Sequence, residues 1–247
     1  VQARLLSKAQ EKDAGMTPEE SVQELRGRGI TNLEERSSQE QTPLISAAQR
    51  GDTELVRLLV LAGADLEAKD EYGDTALIWG AWKRRKDIVQ LLLEKGADPN
   101  ATSSHGDTAL MKSAMNGHID IVQLLLGRGA DPNASNCDGC TALMKSADNG
   151  HKDIVQLLLG LGANPNATDN YGEAALMLSA KYGHKDIVQL LLGNGADANG
   201  SNNGGNTVLI FSAVNGHKDI VQLLLGKGAD PNAANHHGDT ALMKSAM

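Results

Sequence analysis

The sequence predicts an all-α repeat solenoid, and three recurrences at one period carry that prediction. Asp-Ile-Val-Gln-Leu-Leu-Leu occurs five times, beginning at Asp87, Asp120, Asp153, Asp186 and Asp219, each 33 residues after the last. Thr-Ala-Leu and its close variants keep the same step at Thr42, Thr75, Thr108, Thr141, Ala174, Thr207 and Thr240. Gly-Ala keeps it at Gly63, Gly96, Gly129, Gly162, Gly195 and Gly228. A fixed period of this size marks stacked supersecondary units rather than a globule around one core.

One copy is enough to derive the unit. Thr108 is a good N-cap, and Pro43, one residue past the equivalent Thr42, occupies the position where a helix tolerates proline. Leu110, Met111 and Ala114 give the short helix that follows a single apolar stripe. Asn116-Gly117 ends it. Asp120 opens a second helix at its positive end, and Ile121, Val122, Leu124, Leu125 and Leu126 make that helix apolar almost all round. Gly127 and Gly129 stop it. Ala130-Asp131-Pro132-Asn133-Ala134 and the Asp-Gly or His-Gly turn beyond read as a β-hairpin-like finger. Neither helix is long enough to stand alone in water, so each apolar face is buried by the neighbouring copies.

These residues resemble the ankyrin repeat family. The period, Thr-Ala-Leu or Thr-Pro-Leu opening helix one, Asn-Gly-His between the helices and Gly-Ala-Asp-Pro-Asn-Ala closing the unit all match over residues 37–247, with units starting near 41, 74, 107, 140, 173 and 206 and a partial one at 239. The resemblance implies helix-turn-helix pairs in a stack, projecting fingers, and a non-catalytic role in recognising a protein or peptide on the concave surface of first helices and fingers. It also implies that Asn100, Asn133, Asn166, Asn199 and Asn232 occupy a position open to asparagine hydroxylation. The family's usual histidine after Thr-Pro-Leu is replaced by Ile45, Ile78, Met111, Met144, Met177, Ile210 and Met243, so an apolar contact is expected in place of a polar tie.

The ends differ from the middle. Residues 1–36 read as a degenerate capping repeat, with Leu5, Leu6 and Ala9 on one short helix and Thr17-Pro18-Glu19-Glu20 opening another. Its Gln23, Glu24, Arg26 and Arg28 supply the polar face such a cap needs. At the other end the sequence stops at Met247 inside a first helix, and it begins at Val1 rather than a methionine. The reading is therefore a fragment of a longer chain whose repeats continue.

Composition removes several functions. The 247 residues carry 23 Lys and Arg against 31 Asp and Glu, a net charge of -8, which disfavours nonspecific binding to nucleic acid or membrane surfaces. No apolar run approaches a membrane span, and the first residues lack the basic flank and apolar core of a signal peptide. Two cysteines suit a reducing compartment, so the expected location is intracellular and cytoplasmic, with the nucleus left open. Cys137-Asp138-Gly139-Cys140 has metal-site spacing but no second pair, and it falls on a finger tip, so no metal, cofactor or catalytic residue is assigned. His118, His151, His184 and His217 share one repeat position and read as structural. No phosphate-binding loop, nucleophile elbow or zincin motif is present. The chain is expected to be no enzyme and to be monomeric. The alternatives are a regulatory or substrate-recruiting domain of an enzyme and an oligonucleotide-binding domain.

Candidate partner-binding residues follow from comparing copies. The second helix barely varies, so its task is packing. Variation gathers on one face of helix one and on the finger tips. All six aromatic residues lie there: Tyr72, Trp79, Trp82, Tyr171, Tyr182 and Phe211. Trp and Tyr are common interface anchors, so these are read as contacts. Lys83, Lys112, Lys145 and Lys181 lend the helix face a basic stripe, and Met115, Asp148 and Leu178 complete it. Glu71, Asp74, Asp107, Asp138, Glu173 and Asp239 make the tips acidic, which suggests a two-toned groove. Repeat two breaks the local pattern, with Arg84 where other copies have glycine and Arg85 where most have histidine. With Trp79 and Trp82 alongside, it is the expected hot spot.

Overall fold

The computed structural model of the chain describes residues 16–245, which fall into two compact units divided between Ser103 and Ser104. The helix expected over Leu5, Leu6 and Ala9 lies outside the described residues. In the first unit α1 spans Pro18–Gly27, α2 Pro43–Arg50, α3 Thr53–Leu61, α4 Ala76–Trp82 and α5 Lys86–Glu94. In the second, α6 spans Ala109–Met115, α7 Ile119–Leu126, α8 Ala142–Asp148, α9 Lys152–Gly160, α10 Ala175–Lys181, α11 Lys185–Gly193, α12 Val208–Val214, α13 Lys218–Gly226 and α14 Ala241–Ser245.

Local chemistry sets the helix starts. Thr42, Thr75, Thr108, Thr141 and Thr207 are extended N-caps whose side-chain oxygens accept from the backbone N–H three residues on. Thr17 and Glu20 complete a capping box at α1. Ala174 holds the same extended backbone with no side-chain acceptor to offer. The second helices begin one residue earlier than an Asp120-type opening predicts. His118, His151, His184 and His217 are the N-caps, and Asp120 and its equivalents lie in the first turn, where their charge faces the helix's positive end.

Within each unit, consecutive first helices pack side by side and each packs on its own second helix: α2 on α3 and α4, α4 on α5, and in the second unit α6 on α7 and α8, α8 on α9 and α10, α10 on α11 and α12. The shared core is the invariant set. Ile121, Val122 and Leu125 are fully buried, as are their counterparts in the other second helices from Val56 to Leu191. Each such side chain contributes about 1.5–3 kcal/mol of burial. The residues standing where the family has histidine, Ile45, Ile78, Met111, Met144, Met177 and Ile210, are buried as well, so the expected apolar contact is present. Met243 at the same register in α14 is 56% exposed.

Ties between copies in the second unit are polar. His151 Nε2 donates to the carbonyl of Met115 at 3.0 Å, and His184 and His217 reach Asp148 and Lys181 in the same way. Each ring lies across the turn glycine of the copy before it; a Cβ on Gly117 would meet His151 Cε1 at 2.7 Å. Asn133, Asn166 and Asn199 each bridge forward, accepting from the backbone N–H of Asn164, Asp197 and Asp230 and donating to the carbonyl of Gly162, Gly195 and Gly228. The fingers are turns with isolated bridges, such as Ser135 with Thr141, rather than strands. Five are fixed by an Asx residue, as Asn136 Oδ1 accepts from both Asp138 and Cys140 N–H, and the first by Ser37, whose Oγ accepts from the N–H groups of Gln39 and Gln41. One finger tip in the first unit is strained: Glu40, where later copies have glycine, adopts φ +55°.

Candidate functional site

The residues of the expected hot spot lie together in the first unit, and the structure changes the reading of one of them. Trp79 and Trp82, one turn apart on α4, stack with ring centroids 4.8 Å apart. Trp79 is only 6% exposed, and its indole N–H donates to Asp70 Oδ2 at 2.8 Å. Trp79 is therefore a buried support, which corrects its reading as a partner contact. Asp70 is the residue that sequence comparison missed. Its other oxygen accepts from the N–H groups of Tyr72 and Asp74, so one buried carboxylate ties the finger tip to the aromatic pair. The signal for it was present: an acidic residue at the tip's Asx position with an indole nine residues on.

Trp82 lies half-buried on that support, and Lys83 Nζ sits 4.5 Å from its ring centroid. Tyr72, at the tip, is 54% exposed. Arg84 does keep the left-handed backbone of the glycine it replaces, with φ +56°. Arg85 lies across Gly51 as the histidines lie across theirs: a Cβ there would meet its Nε at 2.7 Å.

In the second unit the candidates divide by side chain. Lys112 pairs with Asp107 at 2.7 Å, and Lys244 pairs with Asp239 at 2.8 Å, each within one copy. The basic stripe and the acidic tips therefore neutralise one another at these copies, which corrects the expected two-toned separation. Burial pushes the Asp107 carboxyl up, but its hydrogen bonds to Lys112 and Asn136 and the charges of Lys112 and Lys145 outweigh this and hold it below the ordinary value. Lys145 has Cys140 in place of a carboxylate five residues before it. Burial raises the Cys140 thiol, with Asp169 and Asp138 adding to the shift against the charge of Lys145, so it stays protonated. Among the described residues no group of three or more His, Cys, Asp or Glu is placed to hold a metal ion.

Towards α10 and α12 the same face turns apolar. Leu178 and Phe211 are half-buried, while Tyr182 and Val214 are each 53% exposed. Lys181 Nζ lies 5.4 Å from the Tyr182 centroid. Met115 and Asp148 are half-buried at the ends of α6 and α8, and Tyr171 is 70% exposed on its tip. Val214 belongs with this group, although it carries no aromatic signal.

Comparison with known proteins agrees with this architecture. The family model described as ankyrin repeats (3 copies) matches residues 12–103, 100–169 and 161–235. Among solved structures, the ankyrin repeat domain of Bcl-3, described as a unique member of the IkappaB protein family, superposes with a TM-score of 0.73 at 31% identity, covering 83% of this chain and 93% of that one. Comparison with the curated proteins returns no match. No helix among the described residues is long and apolar enough to cross a membrane.

Proposed function

Because the chain belongs to the ankyrin repeat family, we propose that it is a non-catalytic scaffold that binds a protein or peptide through its first helices and finger tips, as a monomer in a reducing intracellular compartment. One observation supports this above the others. The side chains that differ between copies include the exposed aromatic and apolar ones, Tyr72, Tyr171, Tyr182 and Val214, whereas the uniform side chains of the second helices form the core. A fold needing only stability would gain nothing from placing its scarce aromatics in solvent, and large rigid rings are the usual anchors of interfaces.

Trp82 is the strongest anchor because its orientation is fixed before any partner arrives. Stacking on a buried neighbour and a hydrogen-bonded chain back to Asp70 leave little freedom to lose on binding. The test begins with capture of the partner from the source cell on immobilised chain, followed by titration of the purified partner against single variants. Trp82→Ala and Tyr182→Ala are expected to weaken binding, Trp82→Ala by roughly tenfold or more. Gln156→Ala, on an exposed face of α9, should leave it unchanged. Equal affinity across all three variants would remove the proposed surface.

A further inference from the structure

The turn between α4 and α5 gives up two features that the second unit keeps, and what it gains is charge. The corresponding turns there read Asn-Gly-His-Ile, Asn-Gly-His-Lys or Tyr-Gly-His-Lys; here Lys83-Arg84-Arg85-Lys86 stands instead, four consecutive cations in a chain of net charge -8. Position 84 holds a glycine-type backbone with a side chain that favours it poorly. Position 85 forgoes the imidazole-to-carbonyl tie that His151, His184 and His217 make: among the described residues Arg85 has no counterpart to it. A departure from the local rule at two adjacent positions, a strained backbone at 84 and a forgone tie at 85, points to a functional position.

The charge is concentrated and faces outward. Lys83, Arg84, Arg85 and Lys86 are all exposed. Arg85 lies across Gly51, which sets it beside Arg50, whose Nη1 donates to Ser46 Oγ. Among the described residues, no carboxylate lies within ion-pair distance of Lys83, Arg85, Lys86 or Arg50. The nearest acids in sequence, Asp52 and Asp87, lie at helix starts, where Asp52 Oδ1 is occupied by the Leu55 N–H. The aromatic face of Trp82 adjoins this patch under Lys83.

We propose that this turn docks an acidic segment of a partner protein, with an apolar side chain of the segment on Trp82 and its flanking carboxylates on Lys83, Arg85 and Lys86. The proposal rests on the scaffold reading above and adds the chemistry of the partner. Charge complementarity selects the occupant: Lys83, Arg85 and Lys86, exposed and, among the described residues, with no carboxylate within ion-pair distance, beside a fixed aromatic ring, match carboxylates that alternate with apolar groups. The strongly acidic remainder of the chain opposes a polyanionic nucleic acid, whose length would carry it across that charge.

The chain provides its own reporter, because both of its tryptophans are in this patch. The probe is the peptide Glu-Glu-Leu-Phe-Glu-Glu, titrated against the full chain while tryptophan emission is followed. Its lysine counterpart and an oligothymidylate of equal charge are run in parallel. The glutamate peptide is expected to shift the emission and to bind more weakly as salt is raised. Lys86→Glu and Arg85→His should each weaken it several-fold, and the two together roughly tenfold or more. Unchanged affinity in the double variant, or tighter binding of the lysine peptide or of the oligothymidylate, overturns the proposal. A captured partner that depends on Trp82 yet ignores Lys86→Glu and Arg85→His overturns the acidic preference alone. One that ignores Trp82 and Tyr182 as well overturns the scaffold reading itself.

Discussion

Replacing the two stacked indoles one at a time separates structure from recognition. Trp79 is buried, and truncating a buried Trp to Ala costs about 3–5 kcal/mol. Its indole N–H is also the donor to Asp70 Oδ2, and leaving that buried oxygen without it adds about 1–3 kcal/mol. Trp79→Ala should therefore destabilise the first unit by roughly 4–8 kcal/mol, enough to exhaust the stability of many small domains. Trp82 is half-exposed and loses mainly its stacking, so Trp82→Ala should cost about 1–2 kcal/mol. Urea melts followed by far-UV circular dichroism read both, with Trp79→Phe as the variant that keeps most of the apolar area and loses only the donor. On the proposed reading, Trp82→Ala is therefore the variant expected to lose partner binding while remaining folded, and a double alanine variant would confound the two effects. Equal midpoints for the two single variants, or a loss under about 1 kcal/mol for Trp79→Ala, would refute the division of roles between support and anchor.

Ala174→Thr should restore the missing N-cap of α10, giving the Met177 N–H a side-chain acceptor and adding about 1 kcal/mol, read as a higher urea midpoint. Glu40→Gly should relieve the φ +55° tip and stabilise the first unit by about 0.5–1 kcal/mol, read the same way; no gain would show that the strain is compensated locally. Asp107 is held ionised below its ordinary value, so its contribution is complete above about pH 4 and is lost as pH falls through the folded-state value. Asp107→Asn should flatten the acid limb of the stability profile relative to wild type, and a superimposable limb would remove Asp107 from it.

The repeat was legible because most copies restate it: thirty-three residues return the threonine cap in all but the Ala174 copy, the turn glycine in all but the Arg84 copy, and the leucines of the second helix. Helix starts followed from Thr108 and its equivalents, and the second helices were displaced by a residue only because His118 and its counterparts, which offer no side-chain cap, take the cap position themselves. The surface was legible as a set of positions but not as a set of roles. Trp79 and Trp82 are both aromatic and variable, and only three-dimensional packing sends one inward to Asp70. Lys112 and Asp107 are five residues apart across a helix cap, a spacing that no local helix rule pairs, so their mutual neutralisation was hidden. Nothing in the period marks the division between Ser103 and Ser104.

The turn glycines of the second unit carry a different lesson. At Gly117, Gly150 and Gly183 the backbone needs a positive φ, but the room beside each Cα is taken by the imidazole of the copy that follows. An alanine there is strained in its own turn and also meets the imidazole of the next copy, so it lowers the coupling between neighbours as well as the stability of the copy itself. Gly117, Gly150 and Gly183 are thus specified from downstream as well as by their own backbone, whereas Gly216, with nothing within 4 Å of its Cβ position, is specified by its backbone alone.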